Sequence, residues 1–433
     1  MAAELGQNRL VSLDVFRGMT IAGMTLVNNP GTWGAIYPPL EHAEWHGITP
    51  TDYVFPFFLF IVGVAIPIAL GKRIDEGVTR DVYLKILSRA ALIFFIGLFM
   101  AAFPLFDFSK PDIPQIFKIV VMLAEVAIIY LWLTGKTVEP VIGMSVLAAL
   151  LFGLYFAGYP LVFTSLETLR IPGVLQRIAV CYLIVSLVFL HTNWKQLAII
   201  GGVLLLFYWL IMSIIPVPGC ALTTIDSKEC NLAAYVDRMI FGVNHIWRQA
   251  KVYDPEGILS TIPALVTTIA GVLTGMWLKS KRTDLEKVSG MFFFGLVLLV
   301  LAWCWNPFFP FNKALWTSSY VLYTAGLALC FLGFCFYLID IKGYKTWTKP
   351  FVIFGVNALA LYIGSGLMAR MIGIIHMTGK NGKETSLQGG IYQTIFEPLA
   401  DAKTSSVLFA ICFILCWLFL MWLLYRKRIY IKV

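Results

Sequence analysis

The sequence predicts an all-α, polytopic transmembrane helical bundle of about twelve spans. Three observations predict it. Hydrophobic residues make up 59% of the 433 residues and charged residues only 13%, more apolar surface than a soluble core absorbs. The apolar residues fall in continuous runs of roughly 20, the length a helix needs to cross a bilayer. The short alternating segments of a transmembrane β-barrel are absent from the sequence.

The expected spans lie near 13–29, 51–71, 84–104, 114–134, 138–158, 172–191, 195–215, 257–278, 288–305, 314–338, 349–376 and 405–425. The first carries Asp14 and Arg17 at its start and is followed by many others, so it reads as a retained span and not a cleaved signal peptide. The runs at about 114–158, joined by the tight polar break Thr134 to Pro140, read as an inserted hairpin that leaves the downstream topology unchanged. Its role beyond packing in an oligomer, with a homodimer as the expected form, is left open. No linker, low-complexity tract or internal repeat interrupts 1–433, so the chain reads as one transmembrane domain.

Loop charge orients the bundle. Positive charges at 71–85 and 279–287, at Lys342, Lys345 and Lys349, and at Arg426, Lys427 and Arg428 fall on one side in this count. The positive-inside rule makes that side cytoplasmic, with both termini there. The loop around His42, the long loop 216–256 and the Gly-rich segment 377–404 then face outward. Arg238, Arg248 and Lys251 break the pattern, but a long loop follows the rule less strictly. The formal charge of +9 is thus mainly a topology signal, compatible with an anionic cytosolic ligand and giving no sign of nucleic acid. Of the 8 cysteines, six fall within spans as small apolar residues. Cys220 and Cys230 lie in the outward loop, where a disulfide and two free thiols both remain open.

The chemistry concentrates around one histidine. Only 5 histidines occur, and His42 and His46 stand together in a polar gap with Glu41, Glu44, Trp45 and Asp52. Ionisable groups so near a bilayer are functional candidates, and an imidazole with an unperturbed pKa of about 6.5 exchanges protons near neutrality. Oriented by Asp52, His42 fits a general base or a nucleophile, and Asn28 fits a donor to a developing oxyanion. The other open reading is a pair that caps and neutralises itself at the membrane surface. A zinc site is disfavoured, because Glu44 is misplaced for the H-E-x-x-H pattern and no third ligand is evident. No metal is expected.

Further polar groups stand at the outward starts of other spans. Gln176 and Arg177 follow Pro172 and fit a lined cavity, or in Arg177 a snorkelling interfacial cation. Asp254 and Glu256, and further on Asn312, Lys313 and Trp316, offer the acids and aromatic face that a sugar site uses, although interfacial aromatics are also routine. Asn357 places an amide inside an apolar helix, where it needs a partner.

These pieces resemble one family, the heparan-α-glucosaminide N-acetyltransferases with their bacterial relatives among the transmembrane acyltransferases. The matching stretches are Ser12 to Gly18, His42 to Gly47 with Asp52, Phe55 and Pro56, Arg170 to Arg177, Asp254 to Leu259, Asn312 to Thr317, Gly355 to Ala358 and Tyr425 to Lys427. Each is weak alone; their order along nearly the whole chain is specific. The resemblance implies that acetyl-CoA binds on the cytosolic side and that its acetyl group ends on the amine of a glucosamine-type sugar on the other side. It implies His42 as the catalytic histidine, accompanied by Asn28 and Asp52.

Charge placement adds Arg17, with Asp14 beside it, and Arg73 or Arg89 as holders of the CoA phosphates. Glu41, Trp45, Gln176, Arg177, Asp254, Glu256, Asn312, Lys313, Trp316 and Asn357 are the expected acceptor contacts. Lysosomal members carry an added lumenal domain and first span that are not seen here, which points to a bacterial cytoplasmic membrane with the His42 loop facing the periplasm. Ser365 stands where a second histidine of the lysosomal type aligns, which weighs against a two-histidine mechanism. Two rival functions stand beside this one: a sugar or amino-sugar transporter, and an acyltransferase acting on a cell-envelope polysaccharide.

Overall fold

The computed structural model describes residues 10–75, 77–108, 113–133, 138–159, 162–379 and 382–431. Among the described residues the all-α expectation holds. The helices are α1 (Val11–Asn28), α2 (Val54–Asp75), α3 (Arg80–Ala102), α4 (Gln115–Leu133), α5 (Val138–Phe156), α6 (Val174–His191), α7 (Trp194–Ile214) and α8 (Leu232–Phe241). They continue with α9 (Ile258–Lys279), α10 (Asp284–Trp305), α11 (Ser318–Cys335), α12 (Lys349–Val356), α13 (Ala358–Ile374), α14 (Leu387–Ile391) and α15 (Ala402–Arg426). The only ladders among these residues are two short antiparallel pairs, Phe106–Asp107 with Val162–Phe163 and His376–Thr378 with Glu384–Ser386.

Among the described residues ten helices are long and apolar enough to cross a bilayer, or eleven if the broken pair α12 and α13 counts as one span. Helix α1 forms as anticipated, but Asp14, Arg17 and Asn28 within its 18 residues leave it less apolar than the crossing helices. The run 349–376 is broken at Asn357, which leaves helical geometry at φ −123°, ψ 33°. The polar break of the 114–158 hairpin includes 134–137, which lie outside the described residues.

The helices pack as two units. The first comprises residues 1–24, 38–98 and 170–356. At its centre α2 and α9 run against each other with almost nothing between their backbones. A Cβ on Gly63 would stand 2.1 Å from the Thr268 carbonyl oxygen, and one on Gly271 the same 2.1 Å from that of Phe60. Lipid competes for apolar contact as well as another helix does, so such small-residue seams, where backbones approach closely, are what hold membrane helices together. Around the seam Phe16, Phe60, Ile61, Val64, Met291 and Leu332 form one buried cluster, and Ile66, Ile86, Val185, Leu197 and Val272 another.

The second unit comprises residues 25–37, 99–169 and 357–433. Within it α4 and α5 pack as the expected hairpin and expose Ile116, Leu123, Val141, Phe152 and Phe156 along their length. The side chain of Asn357 explains the break it causes. Its amide donates to the Ile429 carbonyl at 3.1 Å and accepts from the Ile431 backbone N–H at 3.0 Å, tying down the C-terminal tail.

Candidate active site

The residues from 38 to 53 fold as a small cage whose inner wall is one carboxylate. Thr49 and Asp52 form a capping box at the turn Pro50–Tyr53 that leads into α2, a pattern legible in the sequence as Thr-x-x-Asp. Oδ2 of Asp52 accepts from the backbone N–H of Thr49 at 3.0 Å and of Ala43 at 3.2 Å. The Tyr320 hydroxyl, from α11, donates to the Asp52 carbonyl at 2.6 Å and pins the turn. With Oδ2 committed, Oδ1 is left to His42, whose Nδ1 stands 2.7 Å away.

Exposure divides the pair. The Asp52 side chain is 1% exposed and that of His42 51% exposed, so the carboxylate is fixed while the imidazole edge meets the outside. When Nδ1–H is donated to the carboxylate, Nε2 carries the lone pair, the tautomer a general base needs. Lys313 reaches the same ring. Its Nζ lies 3.0 Å from Nδ1 and 3.1 Å from Nε2 of His42, and 3.7 Å from Oδ1 of Asp52. Burial pushes the Lys313 ammonium below its usual range, while Asp52 and Glu256 pull the other way.

The residues after His42 face elsewhere. The indole N–H of Trp45 donates to the Ile225 carbonyl at 2.9 Å, and Nε2 of His46 stands 2.9 Å from Oδ1 of Asp226. Nδ1 of His46 stands 3.3 Å from the Asn312 amide nitrogen. The two histidines therefore turn to different partners, and among the described residues no group of three or more His, Cys, Asp or Glu side chains is arranged to hold a metal. Cys220 and Cys230 are joined as a disulfide.

A second polar cluster lies in the same unit. Arg170 donates through Nε and Nη2 to the two oxygens of Asp254 at 2.9 and 2.6 Å, and through Nη2 to Glu256 at 2.5 Å. Burial works against the Glu256 carboxylate, but Arg170, Arg177 and Lys313 outweigh it and hold it below the usual range. The same carboxylates raise the Arg170 guanidinium further, against its own burial. Arg177 is buried in the first turn of α6, donates to the Gly257 carbonyl at 3.0 Å and to the Ser260 hydroxyl, and lies over the Trp316 ring at 5.2 Å.

Several expected contacts are thereby relocated. Trp316 is 1% exposed and one face is covered by Arg177, so it cannot stack on a sugar. Its indole N–H goes to Thr267 at 3.1 Å, and its backbone is held at φ +53°. Asp254 has both oxygens engaged by Arg170. Gln176 is buried against Gly97 and Gly173, where a Cβ would come within 2.4 and 2.6 Å of its Oε1, so it packs α6 onto α3. Asn357 is occupied by the tail, and Glu41 is exposed beside the cage.

Asp14 and Arg17 pair at 3.4 Å, and Arg17 also reaches the Gly355 carbonyl at 3.5 Å. Arg89 covers the Tyr182 ring at 5.1 Å. The Arg73 side chain lies outside the described residues. Asn28 ends α1, exposed, in the second unit. Ser365 in α13 makes a helical back-bond to Tyr362 at 3.3 Å.

One acid escaped the sequence reading. Asp237 in α8 is 1% exposed, and its Oδ1 accepts from the Ile258 backbone N–H at 2.9 Å, capping α9. A Cβ on Gly257 would lie 1.9 Å from its Oδ2. Burial, reinforced by Asp254, pushes the Asp237 carboxyl up to about 7. The available signal was an acid on the apolar stripe of a short amphipathic helix.

Residues 9–213 match the family described as "Domain of unknown function (DUF5009)". Over 82% of its length the chain is 27% identical to the heparan-alpha-glucosaminide N-acetyltransferase of Mus musculus, covering 53% of that protein. Over 98% of its length it is 26% identical to that of Homo sapiens, covering 60% of that protein. Over most of its length this chain is similar in sequence to those acetyltransferases. The resemblance carried by the ordered motifs is borne out, and the chain spans a little over half the length of the relatives it matches.

Proposed function

We propose that this protein is a membrane-bound N-acetyltransferase that takes the acetyl group of acetyl-CoA from the cytosolic side and delivers it to the amine of a glucosamine-type sugar on the outer side of a bacterial cytoplasmic membrane. The observation that carries the reading is the exposed His42 imidazole held by a carboxylate buried to 1% exposure. A merely capping pair needs no imidazole edge turned outward and no lysine resting on it. The names of the relatives supply the reaction class and the kind of acceptor.

In this reading the acceptor amine approaches Nε2 of His42. As nitrogen attacks the thioester carbonyl, His42 takes the amine proton, and Asp52 stabilises the imidazolium that forms. The departing CoA thiolate then receives that proton. Arg17, Arg73 and Arg89 are assigned to the phosphates of the donor. Direct transfer is preferred to an acetyl-histidine intermediate, because one histidine suffices as base when both substrates are bound.

The test uses purified protein with acetyl-CoA and glucosamine. Free CoA is expected, and His42→Ala should abolish its release while the melting temperature stays unchanged. Absence of CoA release, with proteoliposomes that accumulate labelled sugar, would sink the acetyltransferase reading in favour of transport.

A further inference from the structure

The loop closed by the Cys220–Cys230 disulfide sends three of its polar contacts to the residues that follow His42. The Ile225 carbonyl accepts from Trp45 at 2.9 Å, Asp226 meets Nε2 of His46 at 2.9 Å, and Lys228 reaches Glu44 at 3.4 Å. On its other side His46 continues inward. Its Nδ1 stands 3.3 Å from the amide nitrogen of Asn312, and the backbone N–H of the adjacent Gly47 donates to the Phe311 carbonyl at 2.8 Å.

The proton inventory of this chain is consistent. With the His46 proton on Nε2, facing the Asp226 carboxylate, Nδ1 is an acceptor for the Asn312 N–H. Asn312 is fully buried, and its Oδ1 accepts from the Leu315 backbone N–H at 2.9 Å. Its backbone N–H meets the Thr317 hydroxyl at 3.1 Å. The next residue is Lys313, whose amine lies against both nitrogens of the His42 ring. Polar contacts, with one step along the backbone from Asn312 to Lys313, thus run from the disulfide loop to the ring of His42.

We propose that His46 is a positioning residue for His42. The disulfide-closed loop fixes His46 through Asp226, His46 fixes Asn312, and Asn312 sets the Lys313 amine on the His42 ring. The inference rests on the reading of His42 as the base, and it assigns the loop a task that the disulfide alone does not reveal. The cross-link narrows the conformations that the contacts of this nine-residue loop must select.

The experiment measures the rate at which diethylpyrocarbonate modifies His42, located by peptide fragmentation in the detergent-purified full chain. Lys313→Ala should raise that rate several-fold by uncovering the ring. His46→Ala and the double variant Cys220→Ser/Cys230→Ser should each raise it part of the way, and their combination should add nothing beyond His46→Ala. His46→Asn keeps an acceptor where Nδ1 stands and should hold the rate near that of the unaltered chain. Asp226→Ala, at a side chain 72% exposed, reads the same outer link should His46→Ala fail to fold.

Wild-type rates in His46→Ala and Asp226→Ala beside a raised rate in Lys313→Ala would overturn the proposal. So would effects of His46→Ala and disulfide removal that multiply, or an unchanged rate in Lys313→Ala. The labelling needs no acetyl transfer. Loss of the acetyltransferase reading would therefore show as absent CoA release with the labelling pattern intact, and loss of this inference as the reverse.

Discussion

The Lys313 amine lies 3.0 and 3.1 Å from the two ring nitrogens of His42, and 3.7 Å from the carboxylate that holds the ring. A cation in that place does two things at once. It balances a nearly buried carboxylate, and it rests against both nitrogens of the ring. In the proposed reaction Lys313 therefore acts together with His42 and Asp52.

Lys313→Met keeps the aliphatic stem and removes the charge. Loss of one hydrogen bond to a charged group is worth about 1.5–3 kcal/mol, so kcat/KM for CoA release should fall about ten- to hundredfold. The wild-type pH profile should carry an alkaline limb below the 10.5 of an ordinary lysine, since burial favours the neutral amine. Lys313→Met should lack that limb. A limb that persists in the variant assigns it to another group.

Asp52→Asn preserves size and one acceptor oxygen but loses the charge that stabilises a protonated His42. A triad carboxylate changed to its amide drops turnover on the order of 10⁴, and a fall of that order in kcat is expected here. The amide also cannot serve Ala43, Thr49 and His42 together, since it has one acceptor oxygen where the carboxylate has two. The measurement is kcat against the melting temperature: turnover should collapse while the fold persists. A loss of less than tenfold would return the pair to a capping role.

How legible the site was depended on how local each interaction is. His42 and Asp52 stand ten residues apart in one polar gap, and the Thr49-x-x-Asp52 box that orients the carboxylate is a sequence pattern. Lys313 was visible as a polar residue near a span, but its contact crosses 271 residues, and no periodicity encodes that distance. Trp316 misled because an aromatic at an interface looks available, whereas Arg177 and Thr267 from α6 and α9 enclose it. The break within the run 349–376 was hidden for a related reason. A run of apolar residues does not reveal that Asn357 turns aside to bind the tail, since its partners Ile429 and Ile431 lie 72 and 74 residues on.

Arg170 serves two carboxylates, and both depend on its planar fork. Arg170→Lys keeps a charge but cannot bridge Asp254 bidentately and reach Glu256 as well. Breaking a buried ion pair costs about 3–5 kcal/mol, and less is expected here because 26% of the Arg170 side chain reaches solvent. The prediction is a lowered melting temperature for Arg170→Lys and a lower one for Arg170→Ala. Equal melting temperatures for all three proteins would mean that the cluster contributes nothing to stability.

Asp237 offers a prediction with a definite sign in pH. Its carboxyl stands at about 7 against a reference of 3.8, chiefly because burial disfavours its charged form. Between those values the folded chain holds a proton that the unfolded chain has released. Stability contributed by this group is therefore full below pH 3.8, declines as pH rises toward 7, and is absent above. Asp237→Asn keeps an oxygen for the Ile258 N–H and removes the titration. The variant should melt above the unaltered protein at pH 8, by an amount on the order of a few kcal/mol at 1.36 kcal/mol per pKa unit. The gap should close as pH falls to 4. A variant that melts lower at pH 8 would show that the ionised carboxylate, through Arg177, stabilises the fold more than its burial costs.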